Sequence, residues 1–134
     1  MIRQTQLQTI FKKFKDIKLA YLFGSQAKGN AGKLSDYDFA VYLDEQEANS
    51  KNSLIKRTDI KLELMAKLQS ALKAEKIDIV ILNDTDQPEL KYHIIQDGKL
   101  IYQEEPYRII IEPKILNEYF DFRHTLRQYG LTKA

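Results

Sequence analysis

The sequence predicts a mixed α+β fold, in which a small mixed sheet is flanked by helices and a further helix lies at the C-terminus. Short runs rich in β-branched and aromatic residues alternate with segments whose apolar residues recur every three or four positions. The length of 134 residues, with 43% hydrophobic content, suits one buried core better than two. We therefore expect a single domain over residues 1–134, with a core at about 5–103 and a helical extension at about 106–130.

The first part of the chain predicts one helix and two strands. Apolar residues spaced as on one helix face predict an amphipathic helix from about Thr5 to Lys15. Ile17–Phe23 predicts a strand that delivers its C-terminal end to a turn at Gly24. Residues 25–35 are rich in Gly, Ala, Asn, Ser and Lys, which indicates a loop. Tyr37–Leu43 then predicts a second strand.

A long helix is predicted next, beginning either near Ser53 or at a cap formed by Thr58 and Asp59. Its apolar residues define one face of that helix: Leu54, Ile60, Leu62, Leu64, Met65, Leu68 and Leu72. The near-continuous apolar run at 77–82 is typical of a central strand covered on both faces.

Pro88 and Gly98 mark the start and the end of the following predicted helix. Lys99–Gln103 then predicts a short strand at a sheet edge. In the C-terminal helix, Pro113 is expected to kink or restart the helix because it removes a hydrogen-bond donor.

Beyond Pro113, large apolar residues recur by alternating steps of four and three, which predicts a regular apolar seam: Ile115, Tyr119, Phe122, Leu126 and Tyr129. Packing of this seam on the sheet is the simpler interpretation. Because Leu116 and Phe120 add further apolar surface, part of the helix is also a candidate for contact with a partner protein.

Composition limits the classes of function. The net charge of +2 gives no large field, so we expect no strong nucleic-acid binding. The chain has no cysteine, no apolar signal segment and no run long enough to span a bilayer, so we expect a cytoplasmic protein with no membrane association. His93 and His124 have no partner at metal spacing and are interpreted as surface or packing residues. The basic residues around Lys56 are interpreted as a solvated helix face: Lys51, Lys56, Arg57 and Lys61.

The most informative motif joins the first turn to the second strand. It reads Gly24-Ser25, ten intervening residues, then Asp36-Tyr37-Asp38. Two aspartates separated by one residue on a strand point to the same face. Mg²⁺ favours a few carboxylates together with substrate phosphate oxygens, so the pair predicts a cation site that faces a phosphate-binding turn. Tyr37, between the acids, is a candidate for contact with a nucleotide base.

Asp78 interrupts the apolar run of the third strand, where a buried carboxylate would be costly unless it is paired or bound to metal. If this strand lies beside that of Asp36 and Asp38, three carboxylates meet at one edge of the sheet near Gly24. Such an arrangement suits two-metal nucleotidyl transfer.

These residues resemble the signature of the minimal nucleotidyltransferase (MNT) proteins of the polymerase-beta-like superfamily. The resemblance implies that Asp36 and Asp38 are catalytic and bind both Mg²⁺ ions, and that Asp78 supports the metal on the side of the nucleophile. It also implies that Gly24 and Ser25 bind the triphosphate of ATP. Many members have Arg after Gly-Ser, whereas this chain has Gln26, so Lys28 is the candidate for the missing charge.

The resemblance further implies an antitoxin that transfers AMP from ATP to a tyrosine of a HEPN-type ribonuclease toxin. Only about thirty residues follow the core, too few to build an acceptor pocket for a small molecule, and this favours a protein acceptor. Two alternatives stay open: a non-catalytic antitoxin that occludes its toxin, and a nucleotidyltransferase for a small molecule or an RNA end.

Overall fold

The computed structural model describes residues 4–24, 37–44 and 53–130. Within these ranges the helices are α1 (Gln4–Lys12), α2 (Ser53–Leu72), α3 (Pro88–Asp97) and α4 (Tyr107–Gln128), and the strands are β1 (Ile17–Phe23), β2 (Tyr37–Leu43), β3 (Ile77–Ile81) and β4 (Lys99–Gln103). A 3₁₀ turn, Leu82–Asp84, follows β3. This confirms the predicted mixed α+β class, with α2 beginning at the earlier of the two expected positions.

The four strands form one mixed sheet in the order β3-β2-β1-β4. Strand β1 pairs antiparallel with both β2 and β4, whereas β2 and β3 are parallel. Strand β1 therefore ends at the same edge of the sheet at which β2 and β3 begin. This shared edge is where the sequence predicted the carboxylates to meet.

Helices cover both faces of the sheet. On one face α1 and α2 pack through four residues, Leu7, Phe11, Leu64 and Leu68, against Phe39, Val41 and Ile79 among others. On the other face α3 and α4 pack through Ile94, Ile111 and Ile115 against Leu19, Tyr21, Ala40 and Tyr42. The sheet is thus the middle of three layers, and each face buries its own apolar cluster.

Strand β3 is an outer strand of the sheet and pairs on one side only, so the prediction of a central strand was wrong. Ile77, Ile79 and Ile81 are buried beneath α2, but Asp78 is exposed and Val80 is half-buried on the opposite face. The apolar run therefore reflects one fully packed face and one partly covered face. Leu62, expected on the packed face of α2, is also 60% exposed.

Helix α4 is continuous across Pro113, which lies inside it, so the helix does not restart there. Only its first half packs on the sheet, since Ile111 and Ile115 are its buried residues. Residues 116–130, all of which the structure describes, contain no buried side chain. The expected seam on the sheet therefore stops at Ile115, and the remainder of α4 presents its aromatic residues to α3 or to solvent.

Within the described ranges, no helix is long and apolar enough to cross a membrane.

Candidate active site

Three elements bring the described residues of the motif to one edge of the sheet. Phe23, the last residue of β1, lies opposite Asp38 of β2, and Gly24 follows it directly. Asp38 is in turn the register partner of Asp78 in β3. The topology therefore places Gly24, Asp38 and Asp78 side by side, as the sequence predicted.

Asp38 and Asp78 lie on the same face of the sheet. Register partners on parallel strands share a face, and neighbouring strands are about 4.8 Å apart. Further along β2 the same face carries Ala40 and Tyr42, which pack beneath α3 and α4. The two carboxylates thus lie at the open edge of the layer that these helices cover.

The two carboxylates differ in exposure. Asp38 is half-buried and Asp78 is exposed to solvent. The expectation that Asp78 is a buried carboxylate in need of compensation was therefore wrong, although its position beside Asp38 is as predicted. An exposed carboxylate keeps its hydration, so Asp78 can bind a cation from solvent without a large desolvation cost.

Gly24 is in direct contact with the Asp38 carboxylate. Its backbone φ of +76° lies in the left-handed region, and a Cβ atom at this position would clash with Oδ2 of Asp38 and lie 3.3 Å from its Cγ. A glycine meets both demands because it has no Cβ atom. The turn after β1 therefore approaches the carboxylate more closely than any other residue type would allow.

The other predicted site residues lie outside the described part of the chain. They are Ser25, Gln26, Lys28 and Asp36, so the geometry of the site rests on Gly24, Asp38 and Asp78. Among residues 4–24, 37–44 and 53–130 no group of three or more His, Cys, Asp or Glu side chains is clustered for metal binding. The two described carboxylates, adjacent and on one face, are nevertheless donors of the kind that Mg²⁺ prefers. The donor set fits the expected cation.

Tyr37 does not face this site. It packs on the opposite face of the sheet, where its ring stacks on that of Phe39 at a centroid distance of 6.2 Å. The suggestion that it contacts a nucleotide base was wrong, because successive residues of a strand point to opposite faces.

The basic residues and histidines have separate surroundings. Arg57 forms an ion pair with Asp84 and only 19% of its side chain is exposed, so the prediction of a solvated face fails at this residue. Lys51 lies outside the described residues. His93 is exposed and its Nδ1 lies 3.4 Å from Oδ2 of Asp97, as expected for a surface histidine. His124 is exposed on α4.

A groove between α3 and α4 was not singled out as a site from the sequence. It has a volume of about 380 Å³ and is lined by six residues: Tyr92, Tyr119, Phe120, Arg123, His124 and Arg127. The spacing of Tyr119, Arg123 and Arg127 by four residues is the signal in the sequence, since residues four apart share a helix face.

Comparison with known proteins agrees with this geometry. The family model described as polymerase beta, nucleotidyltransferase, matches residues 5–107. The chain is 31% identical over 106 residues to the protein adenylyltransferase MntA of Aphanizomenon flos-aquae (strain 2012/KM1/D3), an alignment that covers 77% of this chain and 67% of the relative.

Two solved structures share the fold. A toxin-antitoxin crystal structure with AMP-PNP superposes with a TM-score of 0.72 and 22% identity, covering 96% of this chain and 95% of the other. The Shewanella oneidensis MNT antitoxin in complex with a tri-AMPylated HEPN toxin superposes with a TM-score of 0.65 and 20% identity, covering 94% and 91%.

The family match spans most of the chain and includes all three described site residues, and the MntA relative confirms the resemblance to the minimal proteins of the superfamily. This chain belongs to the polymerase beta nucleotidyltransferase family.

Proposed function

We propose that this chain is an Mg²⁺-dependent protein adenylyltransferase that acts as an antitoxin. It would transfer AMP from ATP to a tyrosine of a partner HEPN-type toxin. The observation that carries this proposal is the register pairing of Asp38 with Asp78 at the edge of the sheet, beside the turn at Gly24. The MntA relative, a protein adenylyltransferase, and the AMPylated HEPN toxin in the Shewanella oneidensis complex support the choice of reaction and acceptor.

Each residue of the motif has a role in this proposal. Asp36 would bind the metal together with Asp38 of β2, and Asp78 of β3 completes the set. Gly24, Ser25 and Lys28 bind the phosphates of ATP. Two Mg²⁺ ions, when bound, would neutralise the triphosphate and stabilise the departing pyrophosphate.

The reaction exchanges one phosphorus–oxygen bond for another and releases the phenol proton. The phenol oxygen of the acceptor tyrosine attacks the α-phosphorus of ATP, and the bond from that phosphorus to the oxygen bridging to the β-phosphate breaks. Asp78, which is exposed to solvent beside Asp38, would assist loss of the phenol proton. The products are a tyrosine–AMP phosphodiester and pyrophosphate. The added negative charge on the toxin would oppose RNA binding.

The shape of α4 supports a protein acceptor. Its second half buries no side chain, so this half leaves most of its surface open to contact with another protein. A protein acceptor brings its own surface to an open site. ATP as donor and a ribonuclease toxin as acceptor suit the cytoplasmic location that we expect.

The experiment combines the purified chain with ATP, Mg²⁺ and the HEPN-type toxin encoded beside it. We expect the toxin to gain mass in steps of one AMP residue, as measured by intact-protein mass spectrometry. Asp38→Asn and Asp78→Asn should each abolish the gain. Asp86→Asn, an exposed aspartate beyond the opposite end of β3, makes the same chemical change away from the site and should leave the gain intact.

The same variants decide between catalysis and occlusion. If Asp38→Asn still binds the toxin but no longer protects cells from it, the antitoxin acts by catalysis. Unchanged protection by this variant, with no mass gain in wild-type mixtures that form the complex, would establish occlusion. Label transfer from ATP to a small molecule or an RNA end, with none to the toxin, would reassign the acceptor.

A further inference from the structure

The groove between α3 and α4, called here the α3–α4 groove, combines aromatic rings with cations. Tyr92 of α3 stacks on Tyr119 of α4 with centroids 3.8 Å apart and planes 9° apart. Phe120 meets both rings edge-on, at 6.3 Å and 5.6 Å, and is itself 57% exposed. Stacking between the two helices fixes the rings, so they present a rigid apolar surface to solvent.

The lining of this groove contains basic side chains and no acidic ones. Arg123 and Arg127 are cations, His124 lies between them in sequence, and no acidic residue is among the six lining side chains. Two acids lie close by in sequence without lining the groove: Glu118, whose Oε1 lies 2.8 Å from Lys91 Nζ, and Asp121, which is exposed on the same helix. The groove therefore attracts negative charge, and its Tyr, Phe and Arg content is typical of the centre of a protein–protein interface.

The groove lies on the functional side of the molecule. Helices α3 and α4 cover the face of the sheet that carries Asp38 and Asp78. The C-terminal end of α3 also lies close to the end of the sheet that carries the site. A Cβ atom on Gly98, which follows α3, would lie 3.0 Å from the carbonyl oxygen of Leu22, two residues before Gly24. A protein docked in the groove therefore contacts the two helices that cover the face of the sheet on which both carboxylates lie.

We propose that the α3–α4 groove docks an acidic segment of the acceptor protein, with an apolar side chain against Phe120 and carboxylates toward Arg123 and Arg127. This inference rests on the proposed function and adds the surface that selects the acceptor. The mutual stacking of Tyr92 and Tyr119 leaves no slot between the rings for a base, which favours a protein segment over a nucleotide as the occupant.

The test is charge reversal of the groove with Arg123→Glu and Arg127→Glu together. We expect the KM for the HEPN-type toxin to rise about tenfold or more with kcat unchanged, and the Kd of the complex measured without ATP to rise in parallel. The affinity of the wild-type protein should fall with added salt more steeply than that of the variant. The matched control, Lys12→Glu with Lys13→Glu, makes the same change in charge at the C-terminal end of α1, at the opposite face of the sheet, and should change neither constant.

A second variant keeps the test independent of folding. Arg123→Gln with Arg127→Gln removes the charge without reversing it, and circular dichroism checks that both doubles retain the wild-type helix content. We expect a smaller rise in KM for the Gln double than for the Glu double. Unchanged KM and Kd in a folded Glu double, or an equal change in the α1 control, would overturn the docking inference.

The outcomes separate this inference from the proposed function. Normal AMP transfer by both wild type and the Glu double would refute docking and leave the adenylyltransferase in place. Toxin binding that depends on Arg123 and Arg127, without AMP transfer by wild type, would support docking and refute the activity. Calorimetric binding of AMP that the Glu double loses, with toxin binding unchanged, would overturn the inference in favour of a nucleotide site.

Discussion

Gly24 and Asp38 approach each other so closely that the space a methyl group on Gly24 would need is already filled by the Asp38 carboxylate. The contact joins the turn after β1 to a carboxylate of the neighbouring strand. Any side chain at position 24 must therefore move the carboxylate, the turn or both.

Gly24→Ala should consequently reduce AMP transfer about tenfold or more, because a displacement of about 1 Å at a reacting centre can lower the rate by up to about a hundredfold. Gly130→Ala is the matched control, since Gly130 also has a positive φ, +67°, but a Cβ atom there would meet nothing within 4 Å. Left-handed strain costs about 1–2 kcal/mol at either position. Urea unfolding of both variants measures the backbone strain, and their rates of AMP transfer measure the displacement of the carboxylate. Equal transfer rates for the two variants would refute the effect on the carboxylate.

Asn83 terminates β2 with two hydrogen bonds to one residue. The Leu43 N–H donates to Asn83 Oδ1 at 2.8 Å, and Asn83 Nδ2 donates to the Leu43 carbonyl oxygen at 2.9 Å. Asn83→Ala leaves both groups of buried Leu43 without these partners, so we expect a loss of about 1–3 kcal/mol in the free energy of unfolding. Urea denaturation measures the loss, and amide exchange at Leu43 should accelerate.

Asn83→Asp tests the geometry of this pair. It keeps an acceptor for the Leu43 N–H but places a carboxylate oxygen against the Leu43 carbonyl, so it should not restore stability. Asn117→Ala, at an exposed position on α4, should change stability by less than about 0.5 kcal/mol. A stability for Asn83→Asp equal to wild type would contradict the two-bond description.

Tyr21 gives the protein a specific sensitivity to alkaline pH. Its hydroxyl donates to Glu112 Oε2 at 2.6 Å, and burial together with this hydrogen bond raises the pKa of Tyr21 above its usual value of about 10. Above that value the unfolded chain releases the proton while the folded chain keeps it. The contribution to stability is therefore complete below pH 10 and is lost as pH rises, by about 1.4 kcal/mol per pH unit.

Tyr21→Phe should remove this part of the alkaline slope. It should also lower stability at neutral pH by about 1–3 kcal/mol, because Glu112 loses a hydrogen-bond donor. Urea unfolding between pH 8 and about 11 compares the variant with wild type. Tyr129→Phe, at a residue that is 74% exposed, controls for loss of a tyrosine, and an unchanged slope in Tyr21→Phe would refute the assignment.

Pro113 weakens the helix in which it lies. Proline has no N–H, so the carbonyl of Ile109, four residues earlier in α4, has no donor at the position where a helix normally supplies one. Pro113→Ala restores the donor at an exposed position, and we expect a gain in stability of about 1–3 kcal/mol. Thermal unfolding measures the gain, with Lys114→Ala as the neighbouring exposed control. A lower melting temperature for Pro113→Ala would contradict the expectation.

Much of the sheet could be predicted from local patterns. The bounds of β1 and β2 agree with the predicted strands because β-type residues begin and end sharply at positions 17, 23, 37 and 43. The outer position of β3 in the sheet could not be predicted in this way. An apolar run indicates how much of a strand is covered, but not which strands lie beside it. The end of the α4 seam at Ile115 likewise depends on how far the sheet extends beneath the helix.

In the site, too, the pairing of strands could be predicted from the sequence but the contacts between side chains of separate elements could not. The meeting of Asp38 and Asp78 followed from the motif and from the expectation that their strands are neighbours. The contact between Gly24 and Asp38 had no signal in the sequence beyond the glycine itself, because it depends on the position of a side chain across two strands. The stacking of Tyr92 on Tyr119 also joins separate elements, and no periodicity within either helix predicts it.

The two halves of α4 differ in how strongly substitutions should affect folding. Substitutions at Ile111 or Ile115 disturb the layer packed on the sheet, whereas none of residues 116–130 is buried. Mutations in the outer half can therefore accumulate at little cost in folding free energy. A lineage of such proteins could exchange one partner for another by substitutions along this half of the helix while the carboxylates on the sheet stay unchanged.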